Sequence, residues 1–263
     1  MNKEGKFADV PLRVKTWGYI VVVFAIALLH PISLLIFTLF LLYWGQREFY
    51  TIAIPIGRLR TWFAILTTVI ITLSLFVLSI ENNLLTILGW CMITYSYVYL
   101  KYRQYLFYLI IMTVYLLSIS ILFYIGIQVK GYKYLILLVV PMELNDVSQY
   151  MSGKLFGKTK ITPNISPNKT AEGVIGGVVM TTIIFNLMYY VLFNEMITIK
   201  TILLAMALSL LGFLGDLTLS LVKRKANVKD TGTLLPGHGG LLDRVDSLLY
   251  TTPLFYITMI WLK

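Results

Sequence analysis

Seven apolar stretches, at roughly 59–80, 84–100, 105–127, 132–152, 172–193, 198–222 and 241–262, fix what this chain can become. Each is near the ~20 residues an α-helix needs to cross a hydrocarbon core. Lipid offers no partner for backbone N–H and C=O groups, so such segments satisfy them internally, as helices. An eighth run, from Trp17 to Trp44, carries His30-Pro31 at its centre. Proline removes a helical hydrogen bond, so the run is either one kinked helix or two short helices turning at His30-Pro31. Only 13% of the 263 residues are charged, about half the share of a soluble domain. The expected class is all-α: a polytopic integral membrane protein forming one transmembrane domain over residues 1–263.

Basic residues decide between kink and hairpin. With a hairpin there are about nine crossings. Alternate connections then hold the Lys and Arg residues of 3–15, 47–60, 101–103, 154–169 and 223–244, leaving Lys130, Lys133, Lys200 and Lys263 opposite. Cationic loops stay on the cytoplasmic side. The hairpin is therefore expected, with the N-terminus and the 153–170 and 223–240 loops facing the cytoplasm of a plasma membrane. The formal net charge of +10 reads as topology and anionic lipid, not as nucleic-acid binding. The apolar run after the polar N-terminus has no small-residue cleavage site, so no removable signal peptide is expected. Cys91 is the single cysteine; a disulfide within the chain is excluded, and Cys91 reads as packing.

The chemistry concentrates in two blocks. From Asp216 to Ser247 the chain reads DLTLSLVKRKANVKDTGTLLPGHGGLLDRVDS. Charged groups this close to hydrocarbon are costly and mark function. Asp216, Ser220 and Lys223 share one helical face, and Asp243, Asp246 and Ser247 are expected on the first turns of the last helix. Carboxylates beside basic residues and a glycine turn suit a metal-bridged phosphate site. In the turn, Pro236 fixes a backbone angle and the glycines allow close approach to a ligand. The second block, residues 145–177, reads NDVSQYMSGKLFGKTKITPNISPNKTAEGVIGG. Part of it is helix-start chemistry, with Thr170 as a cap and glycines for packing. That structural reading stands beside a substrate-binding one. Gly153 to Thr159 imitates a phosphate-binding P-loop but is one residue short and follows no strand.

These blocks resemble the phosphatidate cytidylyltransferase (CDP-diacylglycerol synthase) family. Its signature S-x-x-K-R-x4-K-D-x4-L-P-G-H-G-G-x-x-D-R-x-D-S is matched at every fixed position from Ser220 to Ser247. The upstream block matches as well, with Asn168 where the family has Lys. The resemblance implies transfer of the cytidylyl group of CTP to phosphatidate, giving CDP-diacylglycerol and pyrophosphate for phospholipid biosynthesis. It implies Asp216, Ser220, Lys223, Asp243 and Asp246 as catalytic. Asp216 and Asp243 would be metal ligands, with Asp246 a ligand or an orienter. Arg224, Lys229, Asp230, His238, Gly239, Gly240 and Arg244 would bind substrate, as would Asp146, Ser166, Lys169, Thr170 and Glu172. The implied cofactor is Mg2+ in a two-cation site whose second ion is monovalent. The implied partners are CTP, phosphatidic acid, membrane lipids and a second copy of the chain in a homodimer, with no nucleic acid.

Nearby alternatives are a CTP-dependent enzyme using an ether-lipid phosphate or a polyprenol. The CDP-alcohol phosphotransferase pattern is absent. A transporter is disfavoured because the acids cluster at one face rather than at the midplane.

Overall fold

The computed structural model describes residues 10–53, 57, 59–101, 106–128, 130–235 and 239–262. Among them are nine α-helices: α1 (Val10–Leu29), α2 (Pro31–Ala53), α3 (Leu59–Val77), α4 (Ile80–Lys101), α5 (Leu106–Ile127), α6 (Gly131–Phe156), α7 (Ala171–Phe193), α8 (Ile199–Lys225) and α9 (Leu248–Leu262). A 3₁₀ turn covers Leu242–Arg244, and among the described residues extended pairing is confined to two isolated bridges. The all-α membrane class expected from the sequence stands. Among the described residues, four segments are long and apolar enough to span a bilayer: Arg60–Val77, Phe107–Ile127, Ala171–Phe193 and Ile199–Lys225.

The chain forms two compact units. One holds α1 to α4, α5 as far as Phe123, and residues 226–244; the other holds residues 124–225 and 245–263.

In the first unit the hairpin at His30 is built by a cap. Pro31 opens α2, where its missing N–H costs nothing. The His30 ring Nδ1 accepts the Ile32 N–H at 3.1 Å, and the Ser33 hydroxyl reciprocates by accepting the His30 N–H at 3.2 Å. This reciprocal pattern satisfies two otherwise orphaned donors at the start of α2, which then packs on α1. Buried polar groups pair between helices as they must in an apolar surround. Trp90 donates its indole N–H to the Thr67 hydroxyl at 2.8 Å, and Tyr115 donates its hydroxyl to the Leu41 carbonyl at 2.5 Å.

In the second unit α6 and α7 make the closest pairing. Gly176 and Gly177 allow it: a Cβ at either would strike Ser152 or Gln149 of α6. Asn145, fully buried in α6, ties three helices together. Its Oδ1 accepts the hydroxyls of Thr181 in α7 (3.0 Å) and Ser209 in α8 (2.7 Å), and its Nδ2 donates to the Ser209 carbonyl. The opposite face of α7 carries Ile175, Val179, Ile183, Leu187 and Val191, all more than half exposed. An apolar stripe turned outward over five turns is a lipid-facing surface.

Lys223, Arg224 and Lys225 close the last turn of α8, where cations favour the C-terminal dipole, and Lys223 falls within the helix as its shared face with Asp216 and Ser220 requires. One helix boundary departs from expectation. The last helix starts at Leu248 rather than 241, so Asp243, Asp246 and Ser247 are not on its first turns. Asp243 lies in the 3₁₀ turn, and Asp246 in the turn after it. The Asp246 side chain accepts the N–H of its neighbour Ser247 at 2.8 Å. Such local side-chain bonding competes with the helical ladder and delays its start.

Candidate functional site

A cavity of about 210 Å³ opens in the second unit, lined from α6 by Asp146, Gln149 and Tyr150, from the following loop by Ser166, Asn168, Lys169 and Thr170, from α7 by Gly173 and Val174, and from α8 by Asp216. Five of the expected site residues (Asp146, Ser166, Lys169, Thr170 and Asp216) thus meet around one space. Asn168, at the position where the sequence departs from the family pattern, is also on the wall.

The loop is shaped by Thr170, which caps α7 by accepting the Gly173 N–H on Oγ1 at 3.1 Å. Such a cap contributes about 1 kcal/mol. Gly157 and Gly173 crowd that hydroxyl so closely that a Cβ on either would collide with it. The bridge between Lys160 and Thr170 folds the loop back on itself. Glu172, in the first turn of α7, accepts the Lys158 N–H at 3.0 Å and the Thr159 N–H at 3.2 Å. Glu172 therefore braces the loop and does not line the cavity.

Lys169 forms an ion pair with Asp216, and its ammonium lies 4.6 Å from the centre of the Phe213 ring. Ser220, one helical turn on, donates to the other Asp216 oxygen at 3.2 Å, as the shared face of α8 requires. Arg224 donates through Nε to the Ile165 carbonyl at 3.1 Å, holding the loop to the end of α8. Lys223 lies beside it in the last turn. Asp246 is buried, and its backbone carbonyl lies where a Cβ on Gly215 would sit.

The first unit holds the rest of the signature. Asp243 Oδ2 accepts three hydrogen bonds, each 3.0 Å long, from the Thr231 N–H, the Thr231 hydroxyl and the Gly240 N–H. Leu235 and Gly239 pair across the base of the glycine turn, and Gly239 takes φ +85°, open to glycine at little cost. His238, Pro236 and Gly237 lie outside the described residues. Lys229 and Asp230 are exposed, and Arg244 is half-buried at the end of the 3₁₀ turn.

Glu48 of α2, which sequence reading passed over, is buried in this cluster. Its carboxylate accepts the N–H groups of Leu241 and Leu242 at 3.0 Å each, and Thr231 Oγ1 lies 3.1 Å from it. The sequence signal was an acid beside Arg47 near the end of a largely apolar helix.

Comparison with known proteins identifies the family. A family model described as "Cytidylyltransferase family" matches residues 12–262. The protein named "Uncharacterized protein YnbB" of Escherichia coli (strain K12) is 34% identical over 96% of this chain and 88% of its own length. Proteins named "Phosphatidate cytidylyltransferase" are 41% identical in Staphylococcus aureus (strain COL) and 40% in Staphylococcus haemolyticus (strain JCSC1435). Each of these two alignments covers 57% of this chain and 58% of the relative.

Proposed function

Because the chain belongs to the cytidylyltransferase family, we propose that it transfers the cytidylyl group of CTP to phosphatidate, releasing pyrophosphate and leaving CDP-diacylglycerol. The observation that carries this reading is the cavity in which Lys169 and the start of α7 face the carboxylates of Asp146 and Asp216. A lysine beside a helix N-terminus suits a phosphate.

In the proposed reaction a phosphatidate oxygen attacks the α-phosphorus of CTP. The new P–O bond forms as the α–β bridge breaks, and the electron pair leaves with pyrophosphate. The nucleophile is already an anion, so no general base is required. The obstacle is repulsion between two polyanions, and positioning with charge neutralisation overcomes it. Lys169 would leave Asp216 for an incoming phosphate. Ser220 would keep Asp216 oriented, and Ser166 and Asn168 would donate to phosphate oxygens.

The donor chemistry of the cavity also fits a divalent cation. Among the described residues no three His, Cys, Asp or Glu groups are set to enclose an ion. Magnesium, however, is commonly held by one or two carboxylates together with substrate phosphates. Asp216 and Asp146 would supply those oxygens, and the ion would offset phosphate charge. Asp243 is a further candidate ligand for such an ion. The proposal includes a second, monovalent ion, with Asp246 as a further ligand or an orienter. It further includes substrate contacts from Lys223, Arg224, Lys229, Asp230, His238 and Arg244, a cytoplasmic site and N-terminus in the plasma membrane, and a homodimer. The clustering of cations in alternate connections supports the orientation.

The test is lipid choice. The full chain in mixed micelles, given CTP labelled at the α-phosphate, is offered phosphatidate, an ether-lipid phosphate or a polyprenol. Label enters the lipid phase with phosphatidate, stops with EDTA and returns with magnesium. Labelling of the polyprenol or the ether lipid alone would overturn the substrate assignment.

A further inference from the structure

We infer that Glu48 is a positioning residue for the proposed reaction, a clamp from α2 that sets the backbone from which Asp243 acts. Three successive N–H groups, those of Gly240, Leu241 and Leu242, are bound by two carboxylates, the first by Asp243 and the next two by Glu48. The Thr231 hydroxyl lies within hydrogen-bond distance of both, at 3.1 Å from Glu48 and 3.0 Å from Asp243. It has one proton, so it serves one carboxylate at a time. The two acids are thus coupled through one shared hydroxyl and one run of backbone, although Glu48 lies outside the signature.

The surrounding glycines are cut to this carboxylate. A Cβ on Gly232 would come within 2.7 Å of Glu48 Oε1, and one on Gly240 would strike both Glu48 Oε2 and Thr231 Oγ1. Glu48 is only 7% exposed, and a buried carboxylate is retained where several donors satisfy it. Among the described residues its donors come from the 231–242 segment, so the charge is held in place by the loop and the loop by the charge. The Asp243 carboxylate inherits its position from that backbone.

The kinetic arm of the test rests on the transfer reaction proposed above; the exchange arm does not. Glu48→Gln replaces one acceptor oxygen with a donor facing N–H groups. In the full-length chain, the Leu241 and Leu242 amides then exchange hydrogen about tenfold to a hundredfold faster. At the same time kcat falls about tenfold or more, while KM for CTP changes less than about twofold. A purely structural role would lower the yield or melting temperature of the protein and leave kcat per folded molecule intact. Gly232→Ala, which displaces the carboxylate from the other side, gives the same two changes and serves if Glu48→Gln does not fold. Unchanged exchange in the folded variants would overturn the clamp. Faster exchange with wild-type kcat would overturn the positioning role. If the wild-type chain transfers nothing from CTP, the reaction fails while exchange still decides the clamp.

Discussion

Asp243→Ala loses CTP:phosphatidate transfer by at least about a hundredfold at saturating magnesium, without loss of expression. The alanine removes one oxygen that gathers three donors, so the Thr231 and Gly240 N–H groups lose their acceptor. A buried donor left unmatched costs about 1–3 kcal/mol, enough to loosen the segment without unfolding the helices. Asp243→Asn separates two roles. Its carbonyl oxygen can still accept the three donors, so amide exchange across 231–243 stays near wild type. Its charge is gone, so transfer falls as far as in the alanine variant. Wild-type activity in Asp243→Asn would reduce Asp243 to a loop lock.

Lys169→Ala costs at least about a hundredfold in kcat/KM, because a charge-assisted phosphate contact is lost and Asp216 loses its ion-pair partner. Lys169 rests on the Phe213 ring, which holds the ammonium close to Asp216 without hydrogen-bonding it. An incoming phosphate can therefore take it over by a short swing of the side chain. Lys169→Arg recovers little, since a planar guanidinium places its donors differently. The double variant Lys169→Ala/Asp216→Ala is expected to cost less than the sum of the single changes, as residues that act as a pair do. Strict additivity in steady-state kinetics would mean that the pair seen in the cavity has no part in turnover.

Much of this was legible from residue order. Apolar length gave the helices, and the placement of Lys and Arg chose a hairpin at His30-Pro31, which the His30 and Ser33 cap then makes. The upstream block and Asp216 were each marked by charge in apolar surroundings, and they line one cavity. What stayed hidden depended on local competition or on distance. The start of the last helix was misplaced because Asp246 bonds its neighbour's N–H in place of the helical pattern. Glu172 was read as a substrate contact, whereas its acceptors meet the loop backbone. Glu48 left almost no trace, since its partner Thr231 is 183 residues away and no spacing rule connects them. Asn168 was visible as a departure from the family pattern, yet its place on the cavity wall needed the folded loop.

Pyrophosphate release is the most direct measurement. Purified full-length chain is given CTP and magnesium, with or without phosphatidate. Release that depends on phosphatidate, in step with one CDP-diacylglycerol formed per pyrophosphate, is the expected result. Pyrophosphate appearing equally fast without the lipid, or none appearing with it, contradicts the assignment.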